Sequence, residues 1–227
     1  MYKTELHLHT SDGDLYAQHS GDEIVRMYAN EGYNTLVITN HYFSPFFTWF
    51  KDELEGADHK RIIDRYLKGY YAAKNEGEKL GITVLPGAEV RVKSSANDYL
   101  VYGLDEKDFY DLPILSNLKN LDELVDTIPD HALIVWAHPF RNKCTTFTPD
   151  RIFGIEGFNY GNEPFRNEMA KMFAKHYGKP MTSGSDFHGS NALAKGGIIS
   201  NKKILTVKDL VEVLKSGEYS LIETPKK

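Results

Sequence analysis

Seven short runs rich in apolar and β-branched residues alternate with helical stretches, and most of them end on or near a histidine or a carboxylate. The runs cover residues 4–9, 36–39, 82–85, 99–102, 132–136, 154–158 and 180–183. Between them, residues 22–30 set Ile24, Val25, Tyr28 and Ala29 on one helical face, and residues 61–80 do the same with Ile62, Ile63, Tyr66, Leu67 and Tyr70. Val207, Leu210, Val211 and Leu214 repeat the stripe near the C-terminus, and Gly32, Gly81 and Gly217 follow these helices as stop signals. Strands alternating with helices predict parallel βα units. The expected fold is α/β, a barrel or barrel-like sheet forming one domain over residues 1–227. In such a barrel the site is built where the strands end, so residues distant in sequence converge there.

Composition narrows the partners. At 227 residues, with 41% hydrophobic and 26% charged, the chain can bury a substantial core without covalent staples. A formal net charge of −5 argues against long nucleic acid as a partner, though a local basic pocket for a small phosphorylated substrate is compatible with it. Cys144 is the only cysteine, so no disulfide can form within the chain. The first residues lack the apolar segment of a signal peptide, and no apolar run is long enough to span a bilayer. A cytoplasmic protein with no membrane partner is expected.

The chemistry lies in the run ends. His7 and His9 are two apart on a strand, so both point to one side. His41 closes the second run, and Glu89 follows the third in Pro86-Gly87-Ala88-Glu89-Val90-Arg91. A carboxylate there can bridge two cations. His138 emerges from an apolar strand that reads as buried on both faces. Asp186 and His188 repeat the two-residue spacing. Taken singly, each has a plain alternative: a solvent-facing pair, a core histidine, an exposed glutamate. Together they supply more nitrogen and oxygen donors than one ion can use, which predicts two or three divalent ions. With no cysteine in the set, zinc, manganese or iron fits. In the loop 11–20, Asp12, Asp14 and His19 are further donors, and spacing favours Asp14.

Such ions lower the pKa of bound water from 15.7 to about 7, so hydrolysis needs no serine or cysteine nucleophile. Ser183 and Ser185 lack the GxSxG elbow. Arg91, two residues past Glu89, and Arg141, after His138-Pro139-Phe140, are candidates to grip phosphate in bidentate fashion; either could instead pair with a nearby acid. Lys195 is a weaker candidate. The aromatic stretch 42–50 reads mostly as packing, with one or two rings free to form a stacking wall for substrate.

These motifs resemble the PHP family, named for polymerase and histidinol phosphatase domains. The resemblance rests on His7-Leu8-His9-Thr10, Thr39-Asn40-His41, Gly87-Ala88-Glu89, Ala137-His138-Pro139 and Ser185-Asp186-Phe187-His188, in matching order and approximate spacing over nearly the whole chain. It implies a distorted seven-stranded, TIM-barrel-like (β/α) barrel with up to three zinc, manganese or iron ions at the strand ends. It further implies His7, His9, Glu89 and Asp186 around one ion, Glu89 bridging to a second held by His138, and His41 with His188 around a third, which the loop after His9 completes with a residue such as Asp14. Two positions depart from the pattern. Asn40 stands where an aspartate is usual, as an expected second-layer change. Asp98 stands where relatives often carry a histidine, and would replace it as an oxygen ligand.

The implied activity is hydrolysis of a phosphoester of a small organic phosphate (histidinol phosphate, a nucleotide or a sugar phosphate) by a hydroxide bridging two ions, with Glu89, Asp186 and His188 as catalytic residues. Two other functions compete. An amidohydrolase on a similar barrel often needs a carbamylated lysine, and no predicted strand places a lysine beside a ligand. A non-catalytic regulatory protein with a degraded site would draw support from Asn40 and Asp98.

Overall fold

The computed structural model describes residues 1–226. The chain runs β1 (Tyr2–Leu8), α1 (Gly21–Asn30), β2 (Thr35–Ile38), β3 (His41–Tyr42), α2 (Ser44–Trp49), α3 (Lys51–Leu54), α4 (His59–Tyr66) and α5 (Lys68–Leu80). It continues through β4 (Thr83–Pro86), β5 (Ala88–Val90), β6 (Tyr99–Tyr102), α6 (Glu106–Asp111), α7 (Leu121–Thr127), β7 (Leu133–Trp136), β8 (Gly154–Asn159) and α8 (Pro164–His176). It ends with β9 (Met181–Gly184), β10 (Ile198–Ser200), α9 (Val207–Ser216) and β11 (Tyr219–Leu221).

All seven expected runs are strands. Their pairing, however, gives two mixed sheets instead of the expected single parallel ring. One has the order β11-β10-β1-β2-β4 and the other β3-β5-β6-β7-β8-β9. β1, β2 and β4 are parallel, as are β7, β8 and β9, but β6 is antiparallel to both β5 and β7. The link from β5 to β6, residues 91–98, is shorter than the dozen or so residues that a parallel crossover needs, so the chain turns straight back. The sheets continue one another: β4 runs into β5 across Gly87, and Leu8 beyond Glu5 pairs with Phe187, just after β9, in a parallel bridge.

A shared core ties the two sheets together. α9 turns Leu210, Val213 and Leu214 onto Leu6, Val37, Leu85, Leu100 and Val135, which come from five strands of both sheets. A larger cluster packs the remaining helices outside, including Ile24, Val25 and Tyr28 of α1 against Ala73 of α5. The single helix expected over residues 61–80 is instead α4 and α5, meeting at Leu67. The break is slight, since the Leu67 backbone stays right-handed helical and its N–H still reaches the Ile63 carbonyl at 2.9 Å. Among the described residues no helix is long and apolar enough to cross a membrane.

A candidate multinuclear metal centre

Two bulges lie under the site. The β1–β2 register shifts between Glu5 and Leu8, and the β8–β9 register shifts between Glu156 and Phe158. Bulges re-aim side chains at sheet rims. Here they lie in the strands that carry His7 and Glu156. Two further residues, His138 at φ 30° and Asp186 at φ 49°, occupy the left-handed backbone region just past β7 and β9. Strained backbone of this kind persists where surrounding contacts over-determine it. For His138 one such contact is its N–H donating to Glu156 Oε2 at 2.6 Å. Gly184 makes the last fitting possible: a Cβ there would lie 2.3 Å from the His7 Cβ and 2.6 Å from Glu156 Oε1.

The side chains so placed form three groups of ligand atoms: His7, His9, Glu89 and Asp186; Glu89, Asp98 and His138; and His9, Asp14, His41 and His188. Glu89 lies at the middle. Its Oε2 is 3.3 Å from His7 Nε2, 3.2 Å from His9 Nε2 and 3.1 Å from His41 Nε2, while its Oε1 is 2.6 Å from His138 Nε2. Asp186 Oδ1 stands 3.5 Å from His7 Nε2, 3.6 Å from His9 Nε2 and 3.4 Å from His188 Nδ1. Asp14 Oδ2 lies 3.0 Å from His9 Nδ1 and within contact of His41 Nδ1. His188 is the most exposed of these ligands, with its side chain 30% accessible, and marks the mouth of the centre.

The donor set fits divalent cations on three counts. First, donors about 2.1 Å from a tetrahedral ion lie about 3.4 Å from one another, which is the spacing found around Glu89 Oε2 and Asp186 Oδ1. Second, His7 Nε2, both nitrogens of His9, Glu89 Oε2 and Asp186 Oδ1 are buried without a hydrogen-bond partner in the structure. Buried polar atoms left unpaired are costly, and four of them converging on one point, with His9 Nδ1 turned instead toward Asp14, call for a cation. Third, four buried carboxylates (Asp14, Glu89, Asp98 and Asp186) face only two fixed cations, Arg91 and Arg141. Without metal, the imidazoles must carry the balancing charge. Burial opposes a proton on His7 and His9, yet Glu156, Asp186, Glu89 and Asp14 outweigh it and hold both pKa values well above the ordinary histidine range. Burial also opposes the charge on Asp186, but His7 and Arg141 keep its carboxyl well below the usual range. Burial and the neighbouring His9 push His188 down to about 4.

Each residue expected from the sequence can now be placed. His7, His9, Asp14, His41, Glu89, Asp98, His138, Asp186 and His188 all enter the three groups. Of the loop alternatives, Asp12 instead accepts the Gly21 N–H at 2.8 Å and His19 faces Ser190 Oγ at 2.9 Å. Asn40 stays in a second layer, tying the Thr10 N–H at 2.7 Å. Arg91 and Arg141 each hold a carboxylate of the centre. Arg91 grips Asp98 through two hydrogen bonds of 2.6 Å, and Arg141 bonds Asp186. Lys195 contributes through its backbone, its N–H donating to Ser185 Oγ at 3.1 Å and its carbonyl accepting the Thr224 N–H at 3.2 Å. In the aromatic stretch Tyr42, Phe46 and Phe50 are buried packing, and Phe43 alone of them lies on a ligand, its ring centre 4.7 Å from that of His41. Cys144 stands outside the three ligand groups, and its Sγ donates to the Ala96 carbonyl at 3.9 Å.

Two buried acids were not singled out from the sequence. Glu156 takes His7 Nδ1 at 2.8 Å and so turns the Nε2 lone pair toward the centre. Beneath it Glu5 accepts the Leu6, His7 and Ser185 N–H groups, at 3.0, 3.1 and 3.0 Å, together with the Ser185 and Tyr28 hydroxyls. The available signal was a charged residue inside an otherwise buried strand, which needs partners.

Residues 164–219 match the family model described as PHP-associated. Among curated protein sequences none matches the chain. Solved structures share its fold. A two-domain protein from Bacteroides vulgatus, described as containing a predicted PHP-like metal-dependent phosphoesterase, aligns with a TM-score of 0.70 at 15% identity over 98% of this chain. The chain spans 65% of that protein's length. PsfC from Pseudomonas syringae aligns with a TM-score of 0.68 at 16% identity, over 98% of this chain and 91% of its own. An amidohydrolase from Chromobacterium violaceum, with bound sulfate and no metal, aligns with a TM-score of 0.59 at 14% identity, over 93% and 96%. At these identities the likeness is one of fold. The PHP-associated match over residues 164–219 and the shared fold support the resemblance of this chain to PHP-domain proteins.

Proposed function

We propose that the protein is a metal-dependent hydrolase that cleaves the phosphoester of a small organic phosphate, using two or three divalent ions of the zinc, manganese or iron type. The observation that supports it most is the buried convergence of unpaired donor atoms around Glu89. In this reading His7, His9, Glu89 and Asp186 hold one ion, Glu89, Asp98 and His138 a second, and Asp14, His41 and His188 a third. Bound there, the ions would acidify water to a pKa of about 7 and polarise a phosphoryl oxygen.

The protein's own part is orientation. Glu156 fixes the His7 ring, Arg91 fixes Asp98, and Arg141 fixes Asp186. Each arginine is still partly accessible, 38% and 34% by side chain, so each can meet an anion on its outer edge. His188, at the mouth and neutral at pH 7, is free to contact the substrate as well as an ion. Glu89, Asp186 and His188 are thus the residues assigned to the reacting centre.

An amide or ester substrate is the second reading, prompted by the amidohydrolase from Chromobacterium violaceum. Among the described residues no lysine side chain hydrogen-bonds or pairs with any residue of the three ligand groups, since the lysine ion pairs all lie elsewhere, and this favours the phosphatase reading. Metal analysis with turnover of an aryl phosphate tests the proposal. The expected result is bound metal, activity inhibited by free phosphate, and loss of both metal and activity in His9→Ala with the fold retained. Full activity of His9→Ala in chelating buffer would overturn it.

A further inference from the structure

Beside the metal centre lies a second cavity of about 290 Å³, lined by Phe43, Ser44, Arg91, Lys93, Ser95 and Ser116 among others. Two of its walls belong to the centre's own surroundings. The Phe43 ring packs on His41, and Arg91 is bound through Nε and Nη2 to Asp98, which stands 3.6 Å from His138 Nε2. Only that layer separates the cavity from the ions' ligands.

Its chemistry is one-sided. The lining carries two cations and three hydroxyls, and no carboxylate. Arg91 has committed one edge to Asp98. Its Nη1 and the Lys93 ammonium have no protein partner among the described residues. The segment that carries them is anchored, with the Lys93 and Ser94 N–H groups bonded to the Leu118 and Lys119 carbonyls at 3.0 and 2.9 Å. Ser116 supplies an independent sign. It is 3% exposed, and its Oγ is buried with no hydrogen-bond partner. A buried hydroxyl left unpaired is unfavourable and is relieved by a bound acceptor. Guanidinium, ammonium and hydroxyl donors around one space suit a carboxylate or a phosphate.

We propose that this cavity binds a second acidic group of the substrate. The preferred substrate is then a small phosphate ester that also carries a carboxylate or a further phosphate. The reacting phosphoryl group lies at the metal centre and the other acid lies beyond Phe43, between Arg91, Lys93 and Ser116. This rests on the hydrolase reading above. It also makes Arg91 a specificity residue that links the two anion positions.

Calorimetric titration of the metal-loaded protein with three non-hydrolysable ligands tests it: propylphosphonate, 3-phosphonopropionate and 1,3-propanediphosphonate. At least one diacid should bind about tenfold more tightly than propylphosphonate, the return expected from one added charge-assisted contact. Which diacid gains tells carboxylate from phosphate. Lys93→Ala removes an exposed side chain and Ser116→Ala an unpaired hydroxyl, so both variants should fold, and each should shrink the diacid advantage. Equal binding of all three ligands, or an advantage that survives both substitutions, would overturn the proposal. Binding is read without turnover. A protein inactive on every phosphate ester therefore contradicts the hydrolase reading, whereas equal binding contradicts the cavity.

Discussion

Glu156 enters none of the ligand groups, yet three of its contacts hold the centre in shape. It takes His7 Nδ1 at 2.8 Å, the His138 N–H at 2.6 Å and the Asn159 amide at 2.9 Å. Losing an outer-layer partner of a metal-bound histidine typically costs about 10–100-fold in metal affinity. Glu156→Gln should therefore weaken zinc binding by about that factor while leaving the secondary structure intact, as read by competition with a chromogenic chelator and circular dichroism. Unchanged affinity would remove Glu156 from the account. The imidazoles carry a pH signature as well. In the metal-free protein the raised His7 and His9 values mean that their ion pairs stabilise the fold at neutral pH and are lost as pH rises through those values. An ion must displace the same protons. Metal uptake should release protons, and apparent affinity should rise with pH; titrations in buffers of different ionisation enthalpy measure the count, and zero release contradicts the assignment. His7 and His9 were legible in the sequence because a strand's two-residue period puts them side by side, whereas Asp186 and His188 share that spacing but lie past β9, where the left-handed Asp186 backbone, not a strand, sets their direction. Glu156 and Glu5 were not legible, because a lone acid in an apolar run looks the same whether it faces solvent or a buried histidine.

At the scale of elements, the strands of four or more residues were legible, and those built from two or three residues were not. β3 and β5 have only two and three residues, too short for any periodicity, yet they carry His41 and Glu89. The antiparallel return at β6 follows from the length of a link and not from composition, so the alternation of strands and helices concealed it. Side-chain size also acts at this scale. β9 can lie against β1 because Gly184 offers no Cβ where His7 and Glu156 need the space. Gly184→Ala must push β9 outward, an overpacking that costs about 1–3 kcal/mol. For a chain of this size each kcal/mol lowers Tm by about 2–4 °C. Thermal melts should show that drop together with reduced metal content, and a variant that melts and binds metal like the parent would show that this contact is not tight.

Across the whole molecule, two sheets share one core under α9, and their strand ends meet over a single cluster of acids and imidazoles. No stretch of sequence contains the site: its candidate ligands run from His7 to His188. The fold brings four carboxylates together out of water with only two arginines for company, an arrangement that burial makes unfavourable unless further positive charge is supplied. A metal-edge anomalous map from crystals of the metal-loaded protein addresses this most directly. The account predicts two or three peaks, one within bonding distance of His7, His9, Glu89 and Asp186 and a second sharing Glu89 with His138. A map with no peak beside Glu89, or with the donors of His9, His138 and Asp186 turned away from one another, would contradict it.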